Sequence, residues 1–231
     1  LFRTMNNNAN CSYSLQQISL FKEIDQSCFD ALINISNQKF IDKYSYAYKS
    51  GEASSTIYFL LNGRIKICSY NELGKELIKN IHYPGEMFGE DSLLESATYQ
   101  DYAQAMDSDV KLVAIEADEL RKFLCINPSL SIRLSTRMGC KLKAAQKRIE
   151  NFVFKSARCR IIEFIKELAQ KQGQAIGYEV LIKNFLTHNE IASLIGTSRQ
   201  TVTIVLNELK KTNQIHIDRR NVLVRDINNL S

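Results

Sequence analysis

Residues 186–209 read LTHNEIASLIGTSRQTVTIVLNEL, and this stretch decides the class of fold. Thr187 and Glu190 stand at capping-box spacing, in which each side chain satisfies a backbone N–H at a helix start. Gly196 follows that predicted helix, at a place where a positive φ turns the chain sharply. Ser198 is a typical N-cap for a second helix. The stretch therefore predicts two short helices joined by a tight turn.

The second predicted helix has one apolar and one polar face. Its buried positions are expected to be Val202, Val205, Leu206 and Leu209, and those of the first helix Ile191, Ala192 and Ile195. The first turn of the second helix presents Arg199, Gln200 and Thr203, whose donors and acceptors can read base edges in a major groove. This pattern favours a DNA-binding helix-turn-helix over a plain helical hairpin.

A hairpin is predicted after the helix pair, over residues 215–224, with its turn at residues 218–221. Arg219 and Arg220 make this turn basic and suited to phosphate contacts. The predicted DNA-binding residues are Thr187, Thr197, Ser198, Arg199, Gln200, Thr201, Thr203, Arg219 and Arg220. Double-stranded DNA is the expected partner.

A long helix is predicted from Asn127-Pro128 to about residue 153, because Pro is tolerated in a first turn. Apolar residues along it step by three and four, at Leu134, Met138, Leu142, Ala145, Ile149 and Phe152. Such a narrow seam is typical of a two-helix interface, so a homodimer is expected. Packing of this seam on the chain's own β-domain is the alternative. A second helix over residues 157–171 and a small hairpin over residues 173–183 follow.

The first half of the chain has a strand pattern after a helical start. Residues 14–37 are predicted to be helical, with a break near Ile24-Asp25. Strands are expected over residues 56–61, 64–70, 76–81 and 110–115. Asn62-Gly63 suits a two-residue hairpin turn between the first two strands, and residues 71–74 suit another turn. This spacing indicates a β-sandwich, jelly roll or barrel.

Charge is distributed unevenly along the 231 residues. Residues 1–119 carry 10 Lys and Arg against 17 Asp and Glu, residues 120–153 carry 8 against 1, and residues 154–231 carry 12 against 7. The basic second half favours a polyanionic partner. Six single cysteines, Cys11 among them, show no zinc spacing, which predicts reduced thiols in a cytoplasmic protein. No apolar run approaches the roughly 20 residues of a membrane helix, and residues 1–4, before Met5, are left out of the fold prediction.

Three motifs together resemble the CRP/FNR (catabolite activator/fumarate-nitrate regulator) family. GTSRQTV at 196–202, followed by LNEL and the predicted hairpin, is similar to the recognition segment of that family. YFLLNGRIKI at 58–67 resembles its β-roll hairpin. PGEMFGE at 84–90 resembles the family signature before the effector pocket. The resemblance covers nearly the whole chain and implies an α+β fold. It implies a cyclic-nucleotide-binding-type β-roll (a double-stranded β-helix or jelly roll) over 14–126, a dimerisation helix and hinge over 127–155, and a winged helix-turn-helix over 156–231. It also implies an allosteric bacterial transcription regulator with RNA polymerase as a partner.

The effector pocket that the resemblance implies departs from that of nucleotide-binding members. Gly89 and Glu90 match the residues that line the site, the glutamate holding a ribose hydroxyl. Gln100 and Asp101 stand where an Arg-Ser pair grips the cyclic phosphate, and an aspartate repels a phosphodiester, so cyclic AMP is not expected as the effector. The candidate pocket comprises Gly89, Glu90, Gln100, Asp101, Lys141, Ala145 and Gln146.

Other effectors and functions stay open from the sequence. His82 offers an axial ligand for haem, and another small effector, thiol sensing by Cys125 or Cys140, or no effector at all are further alternatives. An iron–sulfur cluster would need a run of N-terminal cysteines. No kinase or P-loop motif and no Ser/His/Asp or paired-carboxylate arrangement stands out, so no enzyme and no catalytic residue are expected. The alternatives to a DNA-binding regulator are a cyclic-nucleotide-binding regulatory subunit and an RNA-binding or scaffolding dimer.

Overall fold

A computed structural model describes residues 15–16, 18–22, 24–94 and 98–231. The predictions for residues 1–4 and Cys11 lie outside these ranges, and the other five cysteines are free thiols. The chain forms two compact units, Leu1–Lys141 and Leu142–Ser231. Among the helices so described, none is both long and apolar enough to cross a membrane.

The first unit contains two β-sheets and helices that pack on one of them. Its strands are β1 (Ser36–Ile41), β2 (Tyr46–Tyr48), β3 (Thr56–Asn62), β4 (Ile65–Tyr70), β5 (Glu76–His82), β6 (Met87–Phe88), β7 (Tyr102–Ala105) and β8 (Val110–Glu116). Its helices are α1 (Gln26–Asn34), α2 (Ala117–Ile126) and the first half of α3 (Pro128–Phe154). One antiparallel sheet has the order β1-β8-β3-β6 and the other the order β2-β7-β4-β5. The predicted α+β class with a two-sheet β-domain is confirmed.

Strand β3 is central to the first unit because both of its faces are buried. Ile57 and Phe59 join the apolar cluster formed with the helices, whereas Tyr58 and Leu60 belong to the cluster between the two sheets. This alternation is the period of two of an extended strand. Burying each such side chain contributes about 1.5–3 kcal/mol, so β3 fixes both layers.

The predicted hairpin between β3 and β4 is wrong. β3 pairs with β8 and β6, whereas β4 pairs with β5 and β7, so the chain passes from one sheet to the other at residues 62–64. Gly63 has a φ of 79°, but Asn62 lacks the positive φ that the predicted turn requires. A Cβ on Gly63 would lie 2.8 Å from Val110 Cγ2. This close approach explains the glycine.

The helix predicted over residues 14–37 is wrong at its C-terminal end. α1 ends at Asn34, and Ser36–Ile41 form β1, because their backbone groups pair with β8 in a long-range contact that local spacing does not encode. The break near Ile24-Asp25 is confirmed, since the Asp25 carboxylate caps α1 by accepting from the Cys28 N–H at 2.8 Å. The turn at residues 71–74 is confirmed by the pairing of β4 with β5. Helix α2 was not predicted from the sequence.

The second unit contains the end of α3, three more helices and one small sheet. The helices are α4 (Ala157–Gln172), α5 (His188–Ile195) and α6 (Arg199–Lys211), and the strands are β9 (Gln174–Ile176), β10 (Glu179–Ile182), β11 (Ile215–Asp218) and β12 (Asn221–Val224). The sheet order is β11-β12-β10-β9. The helix predicted over 157–171 and the hairpin predicted over 173–183 are confirmed. α4 packs against both α5 and α6 and supports them.

Candidate nucleic-acid interface

Helix α5 begins with the predicted capping box. The Thr187 hydroxyl accepts from the Glu190 N–H at 3.2 Å, and the Thr187 N–H donates to the Glu190 carboxylate at 2.7 Å. Two otherwise unsatisfied groups at the helix start are thereby paired. The hydroxyl of Thr187 therefore defines where α5 begins.

The turn between α5 and α6 requires a glycine for two reasons. Gly196 has a φ of 71°, in the left-handed region that side chains disfavour, and its N–H donates to Ala192 O at 2.9 Å. A Cβ at this position would also lie 2.5 Å from the Phe152 ring. The positive φ predicted from the sequence is confirmed, whereas the contact with Phe152 was not predicted.

Helix α6 separates a buried apolar face from an exposed polar face. Ser198 caps it by accepting from the Thr201 N–H at 3.0 Å. The four positions expected to be buried are all buried: Val202, Val205, Leu206 and Leu209. Arg199 and Gln200 are exposed in the first turn. The buried face fixes the helix, so these two side chains point away from the core.

The predicted DNA-binding threonines and Ser198 gather at the starts of α5 and α6, but their hydroxyls differ in availability. The Thr203 hydroxyl donates to Arg199 O at 2.9 Å and lies 2.8 Å from His188 Nδ1. It is therefore engaged inside the motif, unlike the exposed base-reading group expected from the sequence. Thr197 and Thr201 are half-buried. The N–H groups at helix starts are suited to bind phosphate.

A basic hairpin follows α6 as predicted. Asp218 pairs with Asn221, and the two residues between them, Arg219 and Arg220, are exposed. Arg219 adopts a φ of 51° at the tip. Arg220 O accepts from the Phe185 N–H at 2.7 Å, which ties the hairpin to the segment before α5. The hairpin thus presents two cations on an anchored turn.

Three residues contact the C-terminal end of α5 and the glycine after it, and we call them the clamp: Arg148, Phe152 and Arg160. The Arg148 guanidinium donates to Leu194 O, and burial lowers the pKa of Arg148. The Arg160 guanidinium lies 3.5 Å from Gly196 O and 4.8 Å from the centre of the Phe152 ring. The clamp was not predicted from the sequence, in which Arg148 is recognisable only as a residue outside the apolar seam. It holds the turn that sets the start of α6.

The predicted dimer seam divides into a buried and an exposed part. Leu134 and Met138 pack in the apolar cluster of the first unit, which is the alternative that the sequence left open. Leu142 and Ile149 are 63% and 65% exposed, and Ala145 is exposed as well. Phe152 belongs to the clamp while remaining 40% exposed. The C-terminal half of α3 therefore presents aliphatic side chains that the described residues leave exposed.

The predicted effector pocket is built around Gly89 and Glu90. Gly89 has a φ of 79°, and a Cβ there would lie 3.0 Å from Thr56 O. Lys141 Nζ donates to Glu90 Oε1 at 2.6 Å and to Met87 O at 3.0 Å, so α3 is tied to this segment. The carboxylate expected to hold a sugar hydroxyl is paired with a lysine of its own chain.

Asp101 contributes a carboxylate to the predicted pocket. It is buried, accepts from the Tyr48 hydroxyl at 3.1 Å and lies 3.4 Å from Lys79 Nζ. Burial, reinforced by Asp101, raises the pKa of Tyr48 well above its ordinary range, and burial with the charges of Asp101 and Glu90 raises the pKa of Asp91. A carboxylate paired with a lysine therefore stands at the position where nucleotide-binding relatives are expected to hold the phosphate.

The remaining predicted pocket residues are exposed. Gln100 donates from its side chain to Thr98 O at 3.2 Å. Ala145 and Gln146 belong to the part of α3 in the second unit. These three positions are accessible, whereas Asp101 is not.

His82, the candidate haem ligand, is buried at the end of β5. Its Nδ1 lies 3.2 Å from Glu86 Oε2, and its Nε2 lies 3.4 Å from Asn80 Nδ2. Burial alone would raise the pKa of Glu86, but the contact with His82, the Tyr83 N–H and the charge of Arg137 together outweigh burial and lower this pKa. No group of three or more metal-binding side chains occurs in the described part of the chain. Each ring nitrogen of His82 thus has a polar group nearby, and the buried Nδ1 makes no hydrogen bond with any described residue.

Two family models match the chain. The cyclic nucleotide-binding domain matches residues 38–127, and the Crp-like helix-turn-helix domain matches residues 159–231. A CRP-like cAMP-activated global transcriptional regulator of Mycobacterium tuberculosis is 25% identical over 217 residues, 94% of this chain and 96% of the relative. The cAMP-activated global transcriptional regulator CRP of Escherichia coli O6:H1 is 26% identical over 174 residues, 75% of this chain and 82% of the relative.

Solved structures share the fold. A CooA mutant from Carboxydothermus hydrogenoformans has a TM-score of 0.75 at 23% identity and covers 99% of this chain and 96% of that one. The c-di-GMP responsive global regulator CLP of Xanthomonas campestris has a TM-score of 0.74 at 18% identity, covering 87% and 99%. The predicted order of β-roll, long helix and winged helix-turn-helix is confirmed.

Proposed function

The chain belongs to the CRP/FNR family of transcription regulators, and we propose that it acts as a homodimer that recognises a palindromic operator. The observation that carries this proposal is the exposed first turn of α6. Arg199 and Gln200 stand on a helix whose opposite face is fully buried and whose start is capped. A helix held in this way can enter a major groove.

We assign different roles to the basic and polar residues. Arg199 makes a bidentate contact with guanine O6 and N7, and Gln200 contacts adenine N6 and N7. The remaining predicted residues bind phosphate, namely Thr187, Thr197, Ser198, Thr201, Arg219 and Arg220. Thr203 positions Arg199 through its bond to the Arg199 carbonyl. Base reading is thus confined to the exposed face of α6.

Dimerisation through α3 is supported by its exposed aliphatic residues. Leu142, Ala145 and Ile149 continue one seam over the second half of the 27-residue helix. A two-fold dimer demands a two-fold operator, with half-sites about 10–10.5 bp apart. Because α3 is the proposed dimer interface, we propose that the chain is organised as a β-roll domain over 14–126, a dimerisation helix and hinge over 127–155, and a winged helix-turn-helix over 156–231.

The effector differs from that of the cAMP-activated relatives. Lys79 and Lys141 already lie against the carboxylates of Asp101 and Glu90, and the buried Asp101 would repel a phosphodiester. An uncharged or cationic small effector fits this pocket better than a phosphodiester. We place the protein in the cytoplasm with RNA polymerase as its partner, as the family implies.

The proposal is tested by selecting sites from a random duplex library with the full-length protein. The expected result is a palindrome with half-sites about one helical turn apart. Arg199→Ala serves as the control and should lose preference at one base pair in each half-site. Selection of single-stranded RNA, or of no sequence at all, would favour the RNA-binding or scaffolding alternative and contradict the proposal.

A further inference from the structure

Ile204 is an apolar residue on the face of α6 that faces away from the core. Its side chain is 51% exposed, whereas Val202, Val205, Leu206 and Leu209 are all buried. Each residue of an α-helix advances by about 100°. Ile204 therefore lies on the same face as Gln200, four residues earlier, and Asn207, three residues later, both of which are exposed.

The fold gains little from an isoleucine at this position. Half of its surface remains in water, and a β-branched side chain is a slightly weaker helix former than leucine, lysine or arginine. Ile204 is counted among the exposed large apolar residues of the described chain and not among the buried ones. Its exposed methyl groups are instead available to a partner of α6.

The middle of this face is poor in hydrogen-bond donors. Ile204 has no side-chain donor, and the neighbouring Thr203 donates its hydroxyl to Arg199 O. The face can therefore not read a base edge at this level by donating a hydrogen bond from either side chain. Among the groups that base pairs present in the major groove, the apolar one is the 5-methyl group of thymine.

We propose that Ile204 contacts the 5-methyl group of a thymine in each half-site and makes that position specific for thymine. This inference rests on the proposed function, because it needs α6 to lie in the major groove. Ile204 stands about 6 Å further along the helix than Gln200. The thymine is accordingly expected within roughly two base pairs of the adenine that Gln200 reads, given about 3.4 Å per base pair.

The test removes the proposed contact in two ways, once by changing the DNA and once by changing the protein. Deoxyuridine, which lacks only the methyl group, replaces each thymine of the selected operator in turn, and affinities are measured by fluorescence anisotropy. For the unmodified protein we expect about fourfold weaker binding for each half-site at one symmetric position. Ile204→Ala should bind the thymine operator more weakly and should not distinguish thymine from deoxyuridine at that position.

Ile126→Ala is the matched control, since Ile126 is an exposed isoleucine of α2 in the other unit. It should retain the full response to deoxyuridine, and circular dichroism should report unchanged folding for both variants. The inference is overturned if no thymine position responds, or if Ile204→Ala retains the same discrimination. Failure to select any operator would instead contradict the proposed function.

Discussion

The predicted effector pocket and the first turn of α6 both carry polar side chains, yet they differ in what those side chains contact. In the pocket, Glu90 is paired with Lys141, and Asp101 accepts from Tyr48 and lies near Lys79. On α6, Arg199 and Gln200 extend into solvent. Charges already paired within the chain resist a new charged ligand, whereas exposed donors on a fixed helix are available to one.

The largest effect is expected from separating the two subunits. Leu142→Asp combined with Ile149→Asp should give a monomer, because two charges would be buried in an apolar seam. Affinity for a palindromic operator should fall by about 100-fold or more, since one half-site alone supplies the contacts. Sedimentation velocity and anisotropy measure the two effects. Ala144→Asp, exposed off the seam, is the control and should remain dimeric; a monomeric unmodified chain would refute the interface.

A smaller but distinctive effect is expected in the pocket. Calorimetry should find no cyclic AMP binding tighter than about 10 μM, near −7 kcal/mol. Gln100→Arg combined with Asp101→Ser should bind cyclic AMP at least about tenfold more tightly, because it supplies the cation and removes the carboxylate. Gln100→Arg alone keeps Asp101 and should gain less. Tight binding of cyclic AMP by the unmodified protein would contradict the view that the paired charges of the predicted pocket resist a charged ligand.

An intermediate effect, on stability, is expected when one clamp residue is replaced. Arg148→Met removes the donor to Leu194 O and leaves that carbonyl without this bond, at a cost of about 1–3 kcal/mol. Urea unfolding should show the loss, and operator affinity should fall with it because Gly196 and α6 lose support. Lys147→Met, an exposed neighbour, should change neither quantity. Equal effects of both variants would show that the clamp contributes nothing.

The smallest effect is expected in the basic hairpin. Arg219→Ala should weaken binding roughly fivefold near 0.15 M salt for all duplexes alike and flatten the salt slope by about one unit, as expected for one lost phosphate contact. A salt series on two unrelated duplexes measures both. Lys122→Ala, which removes an exposed cation from α2, should leave the slope unchanged. A sequence-dependent loss would instead make Arg219 a base contact.

The accuracy of the sequence predictions follows the range of the contacts involved. The caps and the turn of the α5–α6 pair were predicted correctly, since Thr187, Gly196 and Ser198 act on groups within a few positions. Ile195, expected to be buried with Ile191 and Ala192, is only half-buried. The β3–β4 hairpin was wrong because Asn62-Gly63 fits a local turn, while the pairing of β3 with β8 is set far away in sequence. The contact between Arg148 and Leu194, 46 residues apart, leaves no local pattern at all.

The assignment of α6 as the reader of the operator is tested most directly by one comparison. Affinities of the unmodified protein, Arg199→Ala and Arg219→Ala are measured for the selected operator and for a scrambled duplex. Arg199→Ala should lose about 1–3 kcal/mol of binding free energy on the operator and little on the scrambled duplex. Arg219→Ala should instead lose equal amounts of binding free energy on the two duplexes. Equal losses for Arg199→Ala on both duplexes would make Arg199 a phosphate contact and contradict the account.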